Sequence, residues 1–412
     1  MRKTWSVALV VLGVASLAAS SDWPQFQGPD RTGVSSETGV LRAFPEGGPK
    51  VLWTVKLGVG YGGPAVQGGK VYVLDRPDDV QEVLRCWDLA TGNEEWTCAY
   101  EAKGKVDHNG SRSTPAVDDK YVFTVGIHGH FHCISKETHK PVWSKHLIQD
   151  FGGKAPQWAV AQSPLLYKDM VIVAPQSATV GVIALERATG KEVWKSKSIG
   201  PMQYSSPLIA KVAGMDQVIM MNGKCVAGVD PTNGAVLWTF DGLPVGTAEV
   251  PAPTAMGDDR FFVSGGYNAG CAAFKVEKSG DKYTVKQLFK NGNVDAHIHS
   301  AILFKDHLYV LGNTNNEKDG LVCLDLDGKL KWKTGGQMFD KGGYILVDGV
   351  LYIMEGAGGV LKIVAPSPDG FKELSQAKLL QGREIWAPMA LSDGKLLCRD
   401  QGQMKCLDIK GK

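Results

Sequence analysis

The chain has 412 residues, 45 Lys and Arg against 43 Asp and Glu, and a formal charge of +2, with the basic residues scattered along its length. That balance excludes the basic footprint of a nucleic-acid-binding surface. Eight cysteines and nine histidines are too few for a disulfide-dense scaffold and contain no C-x-x-C-H haem signature.

The first element is a short positive start, Arg2-Lys3, followed by a small-residue apolar run from Val7 to Ala19 and the small residues Ala18-Ala19-Ser20. This reads as a secretory signal peptide over residues 1–20, cleaved near Ser20/Ser21. The run is too short for a membrane span, which needs roughly 18 or more apolar residues. No Cys follows the cleavage box, so no lipid anchor is expected. The mature chain is therefore expected in a periplasmic or secreted location, without a transmembrane segment. An N-terminal extension over 21–50 precedes the repeat region, 51–412.

The repeat announces itself through tryptophan. Trp53, Trp96, Trp143, Trp194 and Trp238 follow one another at 43, 47, 51 and 44 residues, and Trp332 lies 94 further on. A strand-rich period near 47 is a propeller spacing. Each unit opens on a small residue, often before Pro: "GGPAV" (62–66), "STPAV" (113–117), "QSPLL" (162–166), "SSPLI" (205–209), "APTAM" (252–256), "HSAIL" (299–303), "GGYIL" (342–346) and "WAPMA" (386–390). An alternating apolar strand comes next, such as "KVYVLD" (70–75) or "HLYVLG" (307–312), suited to a pleated, half-buried surface. A third strand runs into a polar corner and a fourth leaves it through the Trp. The corners are Asp88-Thr91-Gly92-Trp96, a variant ending at Trp143, Glu186-Thr189-Gly190-Trp194, Asp230-Asn233-Gly234-Trp238 and a shortened Asp325-Gly328-Trp332. The leading acid can accept backbone N–H bonds and the Gly tolerates positive φ, so these residues read as structure. "DLDG" (325–328) is likewise a corner: an EF-hand loop needs further oxygen ligands and a Glu at its twelfth position.

Eight openings predict an all-β, eight-bladed propeller of four-stranded antiparallel blades, or seven blades if one weak unit fails. The last unit ends before any fourth strand, while "VLWTVKL" (51–57) is spare at the other end. The N-terminal strand is thus expected to complete the last blade and remove the free edges. Two units, 271–291 and 361–380, lack the Trp and are expected to be looser or differently packed there. Cys86/Cys98 and Cys398/Cys406 each flank a turn, so either pair could face across a hairpin or stay as buried thiols.

The repeat resembles that of pyrroloquinoline-quinone (PQQ)-like propellers, which include quinoprotein alcohol dehydrogenases and BamB-type scaffolds of outer-membrane assembly. "DWPQFQGPDRTG" (22–33) is similar to the lead-in of exported bacterial members. The resemblance implies the fold, and it allows either a non-catalytic scaffold or a PQQ- and Ca²⁺-dependent dehydrogenase. The enzymes of this group carry adjacent cysteines and long insertions that the chain lacks, so no catalytic residue carries over. The scaffold reading is preferred, with envelope or extracellular proteins, or a small ligand in the central channel, as partners of a monomer.

Chemistry, in such a disc, belongs on the connectors that converge on the channel. They bring His108, Arg112, Trp158, Gln162, Gln203, Tyr204, Glu249, His297, His299, Arg383, Glu384 and Trp386 toward one face. Aromatics mixed with both charge signs are what concave ligand sites contain. "HGHFH" (128–132) puts imidazoles at alternate positions, as does the 297/299 pair. Side chains at i and i+2 share a strand face and two could meet one metal ion, but aligned with the repeat these are ordinary blade positions, and no metal site is assigned.

Overall fold

The computed structural model describes residues 21–312, 319–336 and 338–411; the proposed signal peptide lies outside them. Within them, seven blades of four consecutive antiparallel strands follow one another along the chain, and an eighth joins three C-terminal strands to one from the N-terminal side. Blade 1 comprises Ala65–Gln67, Lys70–Asp75, Gln81–Asp88 and Glu94–Glu101. Blades 2 to 7 begin at Ala116, Leu165, Leu208, Thr254, Ile302 and Tyr344, a few residues after each predicted opening. Blade 8 combines Ala390–Ser392, Lys395–Arg399 and Gln403–Asp408 with Lys50–Lys56, in which Trp53 pairs with Cys406. The ring is closed by its N-terminal strand, as expected. No described helix is long and apolar enough to cross a membrane.

Burial follows position within a blade. Second strands are buried on both faces, as in Val350–Met354, where neighbouring blades cover each side. Outer strands such as Glu94–Glu101 alternate, with every second residue in water. At the neck of the channel the opening motifs lace blades together through their hydroxyls. Gly63 N–H donates to Thr114 Oγ1 (3.2 Å), Thr114 N–H to Ser163 Oγ (3.0 Å) and Ser163 N–H to Ser206 Oγ (2.8 Å). Ala252 N–H donates likewise to Ser300 Oγ at 2.9 Å. This is why a small polar residue recurs before the proline.

The corners lock blades at the outer edge. Asp88 Oδ1 accepts from Ala90 N–H, Thr91 N–H and Thr91 Oγ1 at 2.9–3.1 Å. Gly92 sits at φ 74°, and a Cβ there would lie 2.6 Å from Trp53 Cγ, so both conformation and contact demand glycine. The indole it receives comes from the preceding blade, and Trp53 Nε1 donates to Leu89 O at 2.9 Å. Trp143 on Arg187 O, Trp194 on Pro231 O and Trp332 on Ser367 O repeat the bond at 2.8 Å. Trp96 instead stacks on His139, 4.7 Å between centroids. Trp238 turns inward onto Gln217 Oε1 (2.7 Å), because the next corner lies at the tip of the long hairpin Gly270–Asn291.

The two units without Trp are differently packed. Phe289 pairs with Ala273 where other blades place the indole, and Gly328 of the next corner rests on its ring. In blade 7 Ser375 holds that place and accepts the N–H of Phe44 at 2.9 Å, so the extension covers the gap. The same register explains half of the cysteines. Cys86, Cys133, Cys323 and Cys406 each lie directly across from an outer-strand Trp, where only a small side chain fits beneath the ring. All eight are free thiols: Cys98 faces Leu84 and Cys398 faces Lys405, so neither hairpin brings two together.

The extension is a strap across the ring. Trp23 exchanges hydrogen bonds with Val66 of blade 1 (2.8 and 2.9 Å), and Pro24 O accepts from Val117 N–H of blade 2 (2.8 Å). Arg31 donates to the carbonyls of Ser163, Pro164 and Pro207 in blades 3 and 4. Val34–Ser35 then runs parallel to Leu346–Val347 of blade 7, and Leu41 bonds Ile409 beside blade 8. Gln25, Gln27 and Arg31 are buried.

Candidate functional site

The connectors between blades surround a funnel of about 670 Å³, within the range of small-ligand sites. Phe26 of the strap and Pro388 are among its lining residues. Of the residues expected here, His108, Arg112, Trp158, Tyr204, His297, His299, Arg383 and Trp386 line it, as does Glu384. Gln162, Gln203 and Glu249 do not. Gln162 folds back onto its own blade, bonding the carbonyl and N–H of Ala174 at 2.7 Å each. Glu249 lies between the lining residues Ala248 and Val250 but is itself fully buried.

One side of the funnel is an interlocked polar and aromatic cluster. Tyr61 O–H donates to Glu384 Oε2 (2.5 Å), and His108 Nδ1 is 3.3 Å from Glu384 Oε1. Tyr61 stacks on Trp386, centroids 5.6 Å apart, with the Arg112 guanidinium 5.5 Å from the Tyr61 centroid. Trp386 Nε1 donates to Asp340 Oδ2 (2.9 Å), and Lys341 Nζ lies 4.8 Å over its indole. Arg112 in turn ties its own loop by donating to the carbonyls of Asp107, His108 and Gly110. Across the opening, Trp158 and Tyr267 run nearly parallel, 6.5 Å between centroids, and Tyr204 Oη accepts Trp158 N–H at 3.1 Å.

Backbone strain is present on this rim, as it is at turns elsewhere in the molecule. His108, Tyr267 and Glu384 adopt φ of 50°, 59° and 60°, a region costly for residues other than Gly and one that clusters at binding sites. Burial lowers the pKa of His297 and His299 to about 4, so both imidazoles are neutral at pH 7. Burial also lowers that of Arg112. It raises that of Tyr61, helped by the Glu384 hydrogen bond.

Five aromatic or charged contributors were missed. Tyr61 and the Asp340-Lys341 pair sit on the two connectors left out of the count, and completing the eightfold pattern would have found them. Tyr267 comes from a hairpin turn and Phe26 from the strap, neither with any repeat signal.

Behind the wall, both Glu249 oxygens are without a hydrogen-bond partner, and burial raises the carboxyl's pKa well above the usual range. The folded protein keeps that proton, whereas the unfolded chain releases it above about pH 4.5, so this group makes stability fall as pH rises. Glu249→Gln should be more stable than the parent at pH 7. Its advantage should grow by up to about 1.4 kcal/mol per pH unit and vanish below about pH 4.5, read from denaturant titrations at several pH values. An advantage independent of pH would show that the carboxyl is ionised in the fold. The histidines affect parent and variant alike and cancel.

The cofactor expectation is tested by the donor set. PQQ enzymes of this fold pair the quinone with Ca²⁺, which takes 6–8 oxygen ligands. Asp340 and Glu384 are the carboxylates lining the funnel, and they are engaged by Trp386 and by Tyr61 and His108 respectively. Among the described residues no three His, Cys, Asp or Glu side chains are gathered to hold an ion. These residues do not fit a Ca²⁺-quinone centre.

Comparison with known proteins agrees with the architecture. The PQQ_2 family, described as outer membrane protein assembly factor BamB, matches residues 80–334. BamB from Moraxella catarrhalis superposes with a TM-score of 0.62 at 16% identity, over 87% of this chain and 99% of that one. Quinohemoprotein alcohol dehydrogenase from Comamonas testosteroni gives 0.64 at 13%, over 95% and 81%. A europium-containing methanol dehydrogenase gives 0.52 at 13%, over 93% and 88%. Curated protein sequences yield no significant match.

Proposed function

Given that the chain belongs to the PQQ_2 (BamB) family of PQQ-like propellers, we propose that it is an exported, non-catalytic propeller that uses the funnel as a binding site. What enters is a small ligand or an exposed segment of an envelope or extracellular protein. The observation that carries this reading is the funnel itself, with strained, interlocked aromatic and charged side chains at its rim and the strap's Phe26 in its wall. Large rigid rings give contact area at low entropic cost, and fixed charges give orientation. The rest of the disc is repeat structure without a catalytic constellation in its corners.

The test replaces the platforms. Trp158→Ala/Trp386→Ala protein, shown folded by circular dichroism, is compared with the parent as bait for crosslinked envelope proteins and for ligands retained on purification. Loss of at least about tenfold in recovery supports the reading, because fully desolvated aromatic anchors dominate binding energies. Equal recovery overturns it. Tight 1:1 binding of PQQ with Ca²⁺, accompanied by dye-linked alcohol oxidation, would replace it with the dehydrogenase alternative.

A further inference from the structure

Away from the funnel, imidazoles gather at the seam between blades 1 and 2. His130 and His132 lie on the strand His130–Ser135, and His146 ends the neighbouring strand Pro141–His146. In register, His146 is directly opposite His130, and Ser144 is opposite His132. Alternate residues on one strand and directly opposed residues on two strands share a sheet face. Three imidazoles therefore project from one face of one hairpin. Their centroids are 4.8 Å apart for His130 and His146, and 6.2 Å for His130 and His132. Imidazoles bound to one ion at 2.0–2.1 Å have centroids roughly 5 Å apart. His128 stands 6.5 Å from His130, and Tyr100 of blade 1 covers the inner side, 4.3 Å from His132.

The nitrogens carry the argument further. His130 Nδ1 and His132 Nε2 are buried with no hydrogen-bond partner, a condition that calls for an explanation such as a bound water or ion. His132 Nδ1 lies 2.7 Å from Ser144 Oγ, a contact that can hold the ring with Nε2 free to coordinate, as a second-shell oxygen does in metal sites. His146 Nδ1 accepts only long bonds, from Ile148 N–H (3.3 Å) and Gln149 N–H (3.4 Å). Burial and the neighbouring imidazoles keep His130 and His132 neutral down to about pH 4, the form in which imidazole ligates. The charged neighbours are already engaged. Asp150 accepts the backbone N–H of His146 (2.7 Å), Glu82 accepts from Tyr100 and Ser111, and Arg76 is spent on the carbonyls of Ala102 and Gly104.

We propose that His130, His132 and His146 form a binding site for one divalent ion of the Zn²⁺ or Cu²⁺ class, to which all-imidazole donor sets are suited. The rings of His130 and His132 lie 7° from parallel, and no three ligating groups among the described residues yet enclose one point. Binding therefore requires these rings to turn about their side-chain torsions, while the strand register that places them stays fixed. His130 and His146 are only partly buried, which leaves an approach from solvent.

The experiment is calorimetric titration of chelator-treated mature protein with ZnCl₂, and separately with CuSO₄, at pH 7.5. One ion per chain with a Kd in the micromolar range or tighter is expected for at least one metal, together with a rise in melting temperature. His132→Ala and His146→Ala should each weaken binding at least about 30-fold, while His307→Ala, on blade 6, should not. His146→Gln, at the partly exposed position, serves if an alanine variant fails to fold. Absence of 1:1 binding by either metal, or binding indifferent to both His146 replacements, overturns the proposal.

Discussion

Deleting residues 50–56 will lower the melting temperature by about 10 °C or more, although the segment is only seven residues of a 412-residue chain. Those residues supply the outer strand of blade 8, with six register pairs to Gln403–Asp408. They also supply Trp53, buried against the corner of blade 1 and bonded to Leu89 O. Truncating a buried Trp alone removes about 3–5 kcal/mol. The deletion in addition exposes the free edge of Gln403–Asp408 and leaves Gly92 facing no ring. A total above about 5 kcal/mol, at 2 °C or so per kcal/mol for a large domain, gives the stated shift. Differential scanning calorimetry is the measurement, with Trp53→Ala as an intermediate case. A melting temperature unchanged by the deletion would mean that blade 8 is stable as three strands and that the closure contributes little.

The closure was readable before the structure because both halves of its signal are local: a Trp-bearing apolar strand with no opening before it, and a last unit with no strand after its corner. The blade count was readable for the same reason. Four corners pair an acid with a glycine at positive φ, blade 2 keeps the turn with Ser135 and His139 (φ 57°), and four necks carry a small hydroxyl, so packing stamped a period on the sequence. The funnel was readable in outline only. Connectors could be assigned to the channel face, but whether neighbouring residues on a connector share a direction varies from one connector to the next. Ala248 and Val250 line the funnel while Glu249 is buried between them, and no periodicity tells which of the three faces inward. Tyr267 escaped because it sits at a hairpin turn that resembles any other. The His130–His146 pairing was equally hidden, since it depends on the register of one hairpin with a bulge between Pro141 and Trp143. The strap was least legible. Its partners are main-chain carbonyls of blades 3 and 4, which every sequence possesses, so nothing in "DWPQFQGPDRTG" marks where it lands.

That strap sets the second large effect. Arg31 is buried in a ring of backbone oxygens, donating to Ser163 O (3.3 Å), Pro164 O and Pro207 O (2.7 Å), and to Gln25 Oε1 (3.2 Å). Burial pulls the guanidinium down to about 9, so it stays charged at pH 7. Two opposing consequences follow for Arg31→Ala. Removing a desolvated charge is favourable, as replacements of buried ions by apolar groups show. Against it, the carbonyls at the necks of two blades lose their donor, at about 1–3 kcal/mol for each left unsatisfied, and the strap loses the anchor between its blade 2 and blade 7 contacts. With three carbonyls and one amide oxygen affected, the second effect wins, and a net loss of about 3–4 kcal/mol is expected from denaturant titration. Arg31→Lys should recover little, because an ammonium cannot present donors as a planar fork to several oxygens at once. Loosening the strap also frees Phe26, so native-state proteolysis within residues 22–35 should accelerate in Arg31→Ala, and ligand retention in the funnel should fall with it. Equal stability and equal proteolysis would show that the strap lies on the disc without bolting it, and that the funnel wall does not depend on Arg31.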